Sequence, residues 1–474
     1  MSDDVIRFGT DGWRARIADG YTFDNVRRTA QGFAQMVRRE WESGDGIVVG
    51  YDRRFGSPEF ARAVAEVIAA NGIPAYLVNA PCPTPVAAFS IANIGAAGAV
   101  IITASHNPPS DNGFKIRTRS GAALTPEGLE KVETEVASVT LADVRQLGRS
   151  QLDQVITFDP SPAYVDHVPH LLELPALQRS DLNIVVDAMY GSGAGWLPRI
   201  LGGGRIRLKE IHPEWNPAFP GLARPEPIPP QTDELGRAVR ASGAAVGIAL
   251  DGDADRLGVV DENGHFVDQL RTIALLAYYV LEHRHDRRPL VKTITTTAML
   301  ERLGQMYEVP VHETGVGMKF VAPAMRETNA AMGGEESGGY VFGRHMPERD
   351  GIVAGLFFLD LMTRERKSPS ELVSMLFEKL GREYHYQRLD LVFPQADRLE
   401  IESRMAGWQP GSLDGTPVVR RSDFDGFKCY LEDESWLLVR FSGTEPLLRI
   451  YCETTSPERV TRLLSAGKEA AGLA

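Results

Sequence analysis

Short apolar runs rich in β-branched residues recur in the first part of the chain, and each leads into a polar loop. The runs at residues 47–50, 75–78 and 99–102 contain no charged residue, which is typical of strands buried on both faces of a parallel sheet. Between the first two lies a helical pattern whose apolar positions Phe60, Val64 and Val67 fall on one face. Strand, helix and strand in succession predict a βαβ unit, so we expect the chain to fold around parallel sheets.

The loop after the third apolar run carries a candidate nucleophile, Ser105, in the sequence TASHNPP at residues 103–109. Functional side chains of open α/β sheets lie just past the carboxyl ends of strands, which is where Ser105 is predicted. A serine hydroxyl needs activation or prior modification to act as a nucleophile. The loop lacks the G-x-S-x-G pattern of acyl hydrolases. The neighbouring His106 is expected to point to the opposite face of an extended segment, in a structural role.

An acidic loop with the sequence DGDADR occupies residues 251–256, after a predicted strand at 245–250. Carboxylates at alternate positions, separated by the small residues Gly252 and Ala254, can converge on one cation, and hard oxygens suit Mg²⁺. An EF-hand calcium loop is disfavoured because Arg256 stands at the sixth position, which requires glycine. The predicted metal ligands are Asp251, Asp253 and Asp255.

Two further loops have the composition of ligand-binding turns. In the sequence GEESGG at 334–339, Glu335 and Ser337 can accept and donate hydrogen bonds to a polyhydroxyl ligand. A glycine-bounded acidic turn is the alternative for this segment taken alone. In the sequence RFSGTEP at 440–446, a guanidinium, two hydroxyls and an exposed backbone N–H suit a phosphate. These groups belong to Arg440, Ser442, Thr444 and Gly443.

The length of 474 residues exceeds what one hydrophobic core usually serves and indicates three or four domains. We predict α/β domains at residues 1–150, 155–258 and 259–378, which carry the serine, acidic and GEESGG loops respectively. The predicted pattern of secondary structure changes in residues 379–474, where paired strands flank the RFSGTEP loop and a helix follows. This last part is predicted to be a small α+β domain.

Charge and cysteine content restrict the partners and the compartment. A net charge of −12 argues against nucleic acid or an anionic membrane as partner, so an anionic ligand must be attracted by local cations. The three cysteines are widely spaced, no signal-peptide core is present, and no apolar run approaches the roughly 18 residues of a membrane span. We therefore expect a cytoplasmic protein. The glycine-rich segment 191–195 does not complete a dinucleotide fingerprint, because Trp196 replaces the third glycine.

The four loops occur in the order found in the α-D-phosphohexomutase superfamily, the phosphoglucomutase/phosphomannomutase enzymes, which this chain resembles. That family carries TASHNP, DGDxDR, GExSG and R-x-SGTEP loops. The resemblance extends from FGTDG at residues 8–12 to the last strand pair. It implies three related α/β domains with mainly parallel mixed sheets and a smaller C-terminal α+β domain around a central cleft. The sequence leaves the oligomeric state open between a monomer and a homodimer.

The same resemblance implies reversible transfer of phosphate between C1 and C6 of a hexose phosphate, of glucose and/or mannose. Ser105 would be a phosphoserine that ligates Mg²⁺ with the three aspartates, and glucose 1,6-bisphosphate would be the activator and intermediate. Lys115 and Arg14 match family residues close to the phosphoserine, and Arg256 is expected to assist them. Lys319 matches a companion specificity loop, Glu335 and Ser337 would hold the sugar, and Arg449 would assist Arg440.

One position departs from the family pattern. Many bacterial members have a histidine, assigned to proton transfer, where this chain has Gly339. The candidates for the missing basic group are His345, Arg349 and Lys115. Alternative functions are a phosphoglucosamine mutase, a metal-dependent sugar phosphatase and a silent sugar-phosphate sensor. The intact serine and aspartates argue against the last.

Overall fold

The computed structural model of the protein describes residues 6–9, 11–442 and 447–473. Within those residues the strands form four separate sheets, which follow one another along the chain. The first three are covered by helices in α/β units, and the fourth is an antiparallel sheet in a C-terminal α+β unit, which confirms the predicted fold class. Every helix in the described part is too short or too polar to cross a bilayer.

The first domain is built on a mixed sheet that is parallel at its centre. Its elements are β1 (Trp13–Arg16), α1 (Phe23–Glu40), β2 (Ile47–Tyr51), α2 (Ser57–Ala70), β3 (Ala75–Val78), α3 (Thr84–Ile94), β4 (Gly98–Ile102), β5 (Asp111–Thr118), α4 (Pro126–Ser138) and β6 (Val155–Phe158). The strand order is β1-β5-β4-β2-β3-β6, with β5 antiparallel to β4 and to β1. The apolar runs predicted at 47–50, 75–78 and 99–102 are thus adjacent parallel strands.

The second domain has the same plan with a shorter sheet. It contains α5 (Ser161–His167), α6 (Leu174–Gln178), β7 (Asn183–Asp187), α7 (Trp196–Leu201), β8 (Arg207–Ile211), α8 (Asp233–Ser242), β9 (Val246–Leu250), β10 (Leu257–Val260) and β11 (Phe266–Val267). The strand order is β11-β10-β9-β7-β8. Because β6 belongs to the first sheet and β10 and β11 to the second, the boundaries lie later than the predicted 155 and 259.

The third domain continues the pattern with the strand order β13-β12-β14-β15. Its elements are α9 (Gln269–Glu282), β12 (Leu290–Thr293), α10 (Met299–Tyr307), β13 (Val311–Thr314), α11 (Met318–Thr328), β14 (Met332–Gly334), β15 (Tyr340–Phe342), α12 (Gly351–Glu365) and α13 (Pro369–Leu380). The GEESGG loop joins β14 to β15, which pair antiparallel, so this loop is a hairpin turn at the sheet edge.

The fourth domain is an antiparallel sheet of order β16-β21-β20-β19-β18-β17 with two helices. It comprises β16 (His385–Val392), α14 (Arg398–Gly407), β17 (Ser412–Leu413), β18 (Thr416–Ser422), β19 (Phe427–Leu431), β20 (Trp436–Phe441), β21 (Leu447–Thr454) and α15 (Pro457–Ala471). Side chains alternate between sheet faces. Trp436 and Leu438 pack into the core shared with the third domain, whereas Leu437 and Val439 pack within the fourth. The fourth sheet is therefore docked against the third domain by one face.

Candidate active site

Ser105 lies just beyond β4 and faces the acidic loop of the second domain. Its side chain is 1 % exposed, and its Oγ donates a hydrogen bond of 2.8 Å to Asp251 Oδ2. Its backbone has a φ of 52°, in the left-handed region that non-glycine residues rarely adopt. The Ser105 N–H donates to Thr103 Oγ1 at 2.8 Å, which stabilises the turn. The structure thus brings the predicted nucleophile to the predicted metal ligands.

His106 is closer to the serine hydroxyl than the sequence predicted. Its Nδ1 lies 3.4 Å from Ser105 Oγ. The expectation of opposite faces assumed an extended backbone, and the positive φ of Ser105 breaks that alternation. Burial and the nearby charges of Arg256 and Arg14 hold the pKa of His106 well below its usual value. His106 is therefore a neutral imidazole beside the hydroxyl.

The three aspartates of the acidic loop form a buried cluster past the end of β9. Each of Asp251, Asp253 and Asp255 is 0 % exposed, and one oxygen from each lies within 4.8 Å of the others. Burial, followed by the neighbouring carboxylates, raises the pKa of Asp251 well above its usual value. Among the described residues, Asp253 Oδ1 and Asp255 Oδ1 are buried without a hydrogen-bond partner. Converging hard oxygens that lack protein donors fit a divalent cation such as Mg²⁺.

Lys115 connects the aspartates to the first domain. Its Nζ lies 2.7 Å from Asp253 Oδ2, 3.0 Å from Asp255 Oδ2 and 2.9 Å from Asp11 Oδ2. Burial alone would lower the pKa of Lys115, but these carboxylates outweigh it and raise the pKa above its usual value. Burial likewise opposes ionisation of Asp11, yet Arg117, Lys115 and Arg349 hold its pKa well below the usual value. Lys115 is therefore an ammonium and Asp11 a carboxylate.

Of the three residues proposed to replace the missing histidine, Lys115 and Arg349 reach the site carboxylates and His345 does not. Arg349 Nη2 lies 2.5 Å from Asp11 Oδ2 and 2.7 Å from Asp255 Oδ2, and its Nη1 lies 3.2 Å from Glu335 Oε2. A Cβ added at Gly339 would overlap Arg349 Cδ, so the guanidinium stem fills the space that a side chain there would need.

His345 is instead buried where the first three domains meet. Its Nε2 lies 2.9 Å from Asp350 Oδ2, and its Nδ1 lies 3.0 Å from His167 Nε2. Its ring also stacks near His167 and Phe89. These contacts indicate that His345 has a structural role, and none of them is with a carboxylate of the aspartate cluster.

The GEESGG loop borders a cavity between the second, third and fourth domains. Glu335 is 5 % exposed, and burial raises its pKa although Arg349 and Arg256 oppose the rise. Ser337 Oγ is buried and has no hydrogen-bond partner within the described ranges. Ser337 lines a cavity of about 210 Å³ together with Glu226, Gln269 and Arg388. An unpaired hydroxyl at a polar cavity is available to a ligand.

Glu336, between the two predicted sugar contacts, ties the loop to the fourth domain. Its Oε1 accepts hydrogen bonds from Tyr386 Oη at 2.8 Å and Arg388 Nη1 at 3.1 Å, both on β16. Sequence reasoning missed this role because it depends on a strand 50 or more residues away. We call the contact of Glu336 with Tyr386 and Arg388 the domain IV latch.

The RFSGTEP loop is described only at its ends. Arg440 Nε lies 3.0 Å from Asp425 Oδ1, and Asp425 Oδ2 accepts from the Val316 N–H at 2.7 Å. Asp425 therefore joins Arg440 to the loop of the third domain that precedes α11, the helix whose first turn contains Lys319. Arg449 pairs with Arg440 across β20 and β21. Ser442 is buried, while Gly443 and Thr444 lie outside the described residues.

Of the two other arginines predicted at the site, Arg14 contacts the serine loop and Arg256 lies beside Asp255. Arg14 Nη1 donates to Asn107 Oδ1 at 2.6 Å. Arg256 Nη1 lies 3.4 Å from Glu226 Oε1, and its Nε lies 3.9 Å from Asp255 Oδ1. Lys319 is half-buried, with Nζ 5.2 Å from the centre of the Phe320 ring.

Several residues that organise the site escaped sequence reasoning. Thr84 Oγ1 donates to Asp253 Oδ2 at 2.5 Å, and Arg117 pairs with Asp11 and Glu348. Arg54 binds the backbone of the serine loop. Thr84 begins α3, and Arg54 stands in the loop just after β2, so strand-end position was the signal that could have found Arg54.

Fold and site together are those of a multidomain α/β phosphotransfer enzyme, with a serine beside a buried carboxylate cluster that could hold a metal ion. Models of the four phosphoglucomutase/phosphomannomutase domains match in order: alpha/beta/alpha domain I at residues 5–143, domain II at 162–264, domain III at 268–380 and the C-terminal domain at 412–468. The chain belongs to the phosphoglucomutase/phosphomannomutase family, in the α-D-phosphohexomutase superfamily. It is accordingly an intramolecular phosphotransferase, an isomerase.

Individual relatives cover almost the whole chain. A phosphoglucomutase/phosphomannomutase of Thermococcus kodakarensis is 30 % identical over 468 residues, 97 % of each chain. A phosphoglucosamine mutase of Leifsonia xyli is 31 % identical over 469 residues, 96 % of each. Among solved structures, a putative phosphomannomutase from Thermus thermophilus has a TM-score of 0.86 at 31 % identity and covers 99 % of each chain.

Proposed function

We propose that the protein interconverts the 1- and 6-phosphates of a hexose, glucose and/or mannose, through a phosphoserine at Ser105 and a bisphosphorylated sugar. The observation that carries this proposal is the 2.8 Å contact of Ser105 Oγ with the buried aspartate cluster. A hydroxyl at that place can carry a phosphoryl group directly beside carboxylates that hold a cation. Family membership supports the reaction class, and the relatives leave the sugar open.

The first half-reaction transfers the phosphoryl group from Ser105 to the free hydroxyl of the substrate. The bond between phosphorus and Ser105 Oγ breaks as a bond between phosphorus and the sugar oxygen forms. The proton of the sugar hydroxyl is transferred to Ser105 Oγ, which is thereby restored as a hydroxyl. In the second half-reaction the bisphosphate presents its other phosphate, and Ser105 takes that group back. A Mg²⁺ held by Asp251, Asp253, Asp255 and the phosphoserine would spread the charge that develops on the transferred group.

The cations around Ser105 have positions that suit charge stabilisation. Lys115 and Arg349 each contact Asp255 and Asp11, so they lie at the edge of the aspartate cluster nearest the first domain. Arg349 also contacts Glu335, which we assign with Ser337 to the sugar O3 and O4. Arg349 thus connects the sugar-binding carboxylate to the reacting centre, and we assign both cations to stabilising the transferring phosphate.

We assign two roles to the fourth domain: it binds the phosphate that does not react, and it excludes water from the site. We assign Arg440, with Ser442, Gly443, Thr444 and Arg449, to the phosphate that does not react, and Lys319 to the adjoining substrate loop. Binding of that remote group can position the reacting oxygen. The domain IV latch holds β16 over the GEESGG loop. Closure there protects the phosphoserine from hydrolysis.

The test is turnover of glucose 1-phosphate, mannose 1-phosphate and glucosamine 6-phosphate side by side, with Mg²⁺ and catalytic glucose 1,6-bisphosphate. Isomerisation of either hexose phosphate at the highest kcat/KM supports the proposal. Preference for glucosamine 6-phosphate would establish the phosphoglucosamine mutase alternative, which several similar relatives favour by name. Release of free phosphate without isomerisation would overturn the mutase and indicate a phosphatase.

A further inference from the structure

Arg54 is a wholly buried arginine whose donors point at the backbone of the serine loop. Its Nη2 donates to the carbonyl oxygens of Ser105 and Asn107, each at 2.6 Å. Its Nη1 donates to the carbonyl oxygens of Pro108 and Asp111, at 2.7 and 3.0 Å. One guanidinium therefore holds carbonyls along the whole loop from the nucleophile to the start of β5.

The Ser105 carbonyl is enclosed on its other side by the acidic loop. A Cβ added at Gly252 would overlap this carbonyl oxygen, so the two loops touch backbone to backbone at that point. Arg54 Nη2 binds the same oxygen. The carbonyl of the nucleophile residue is thus held between a fixed donor and the loop that carries the metal ligands. This arrangement sets the distance between the serine and the aspartates.

Arg54 is itself held in place by an aspartate and an aromatic ring. Its Nε lies 3.3 Å from Asp52 Oδ2, and Asp52 Oδ1 accepts from the Ser57 hydroxyl at 2.7 Å. The guanidinium carbon lies 5.2 Å from the centre of the Phe219 ring in the second domain. A buried guanidinium is stable only when it is paired and hydrogen-bonded. These contacts leave the planar group one orientation.

We propose that Arg54 is a positioning residue for the nucleophile, which holds Ser105 in its left-handed conformation with Oγ directed at the aspartates. The conformation of Ser105 is strained, and strain of this kind persists only where the surroundings impose it. Arg54 imposes it through donors that a lysine cannot reproduce, because an ammonium is a single point without the planar fork. This assignment rests on the proposed role of Ser105 in phosphoryl transfer.

The chain offers a matched control in the adjacent Arg53. Its Nη1 donates to the Pro213 carbonyl at 2.7 Å, and none of its described hydrogen bonds reaches the serine loop. We compare Arg54→Lys with Arg53→Lys, which changes the same residue type one position away. Both proteins are first checked for folding by circular dichroism and thermal unfolding.

For Arg54→Lys we expect kcat to fall about 100-fold, since a misplacement of about 1 Å can cost that factor. KM is expected to stay within about threefold of the wild-type value, because Arg54 touches only the loop backbone. Phosphorylation of Ser105 by glucose 1,6-bisphosphate, followed by intact-protein mass, should slow by a similar factor. Arg53→Lys should match wild type in all three. Free guanidinium ion should restore part of the turnover of Arg54→Ala.

Hydrogen exchange provides a readout that does not depend on activity. The Asn107 N–H donates to the Ala104 carbonyl at 3.0 Å, and the Asp111 N–H to the Pro108 carbonyl at 3.1 Å. In Arg54→Lys these amides should exchange at least tenfold faster, while those of β2 and β4 keep their rates. Three outcomes would overturn the proposal. They are wild-type turnover in Arg54→Lys, unchanged hydrogen exchange at residues 105–111, and global unfolding of Arg54→Lys but not of Arg53→Lys. Absence of mutase turnover in wild type would refute the proposed function, and the exchange comparison would still decide the role of Arg54.

Discussion

Lys428 is the residue whose environment gives the clearest dependence of domain docking on pH. It extends from β19 into the third domain and is 0 % exposed. Its Nζ donates to the Ile294 carbonyl at 2.6 Å and to Glu313 Oε2 at 3.0 Å. Burial, followed by the charge of Lys292, lowers the pKa of Lys428 from 10.5 to about 8. The contact of Glu313 opposes this fall without cancelling it.

The direction of the effect follows from proton binding. Between pH 8 and 10.5 the unfolded chain keeps the Lys428 proton that the folded protein has lost, so the contribution of this residue to stability rises with pH. A fall from 10.5 to about 8 corresponds to ~3 kcal/mol across that interval. Below pH 8 both states bind the proton, and the dependence vanishes.

Lys428→Met should remove this rise. We expect the difference between the thermal midpoints of wild type and variant to shift in favour of wild type by several degrees from pH 7.5 to 9.5. Loss of the exposed Lys131, whose side chain is 55 % exposed, should produce no such change. A titration of labelled lysine side chains by NMR should show a signal with a midpoint near pH 8 that is missing in Lys428→Met. A midpoint above pH 10 would refute the reasoning.

Three further predictions concern the site itself. Ser105→Ala should abolish isomerisation while calorimetry shows sugar-phosphate affinity within about fivefold of wild type; residual turnover at the wild-type rate would contradict the role of the serine. Gly339→Ala should displace Arg349, because its Cβ would overlap Arg349 Cδ, and lower kcat by at least tenfold; retention of full turnover would show that the Arg349 contacts are dispensable. Glu336→Gln removes the charge bound by Arg388, so phosphate release per isomerisation, measured with a coupled phosphate assay, should increase; an unchanged ratio would exclude the latch as a water barrier.

The sequence predicted the strand-end loops well because the information for them is local. The run at 99–102 is apolar, and the polar loop follows it directly, so the position of Ser105 beyond β4 depends on a few neighbouring residues. The same holds for the aspartates beyond β9. Parallel strands place their carboxyl ends at one edge of a sheet, which predicts where each loop lies. Ser105 and the aspartates belong to different sheets, so their contact depends on how the first two domains pack, which no local pattern specifies.

The backbone conformation of Ser105 could not be predicted from such local patterns. The prediction that His106 points away from Ser105 assumed that the backbone there is extended. Ser105 has a φ of 52° instead. Arg54 and Thr103, which contact the loop around Ser105, stand in the loops that follow two different strands, β2 and β4. No local propensity of serine favours this φ. Backbone strain of this kind can be read from a structure and not from residue types.

The choice between His345 and Arg349 shows why four motifs do not by themselves describe the centre. Both residues follow the GEESGG loop within ten positions, and the sequence offered both as candidates without a reason to choose between them. In the structure His345 contacts Asp350 and His167. Arg349 instead contacts carboxylates of the first, second and third domains. Arg349 can lie there because position 339 has no side chain. The glycine and the arginine are therefore one structural feature, and a histidine restored at 339 would exclude the cation that now joins three domains at the site.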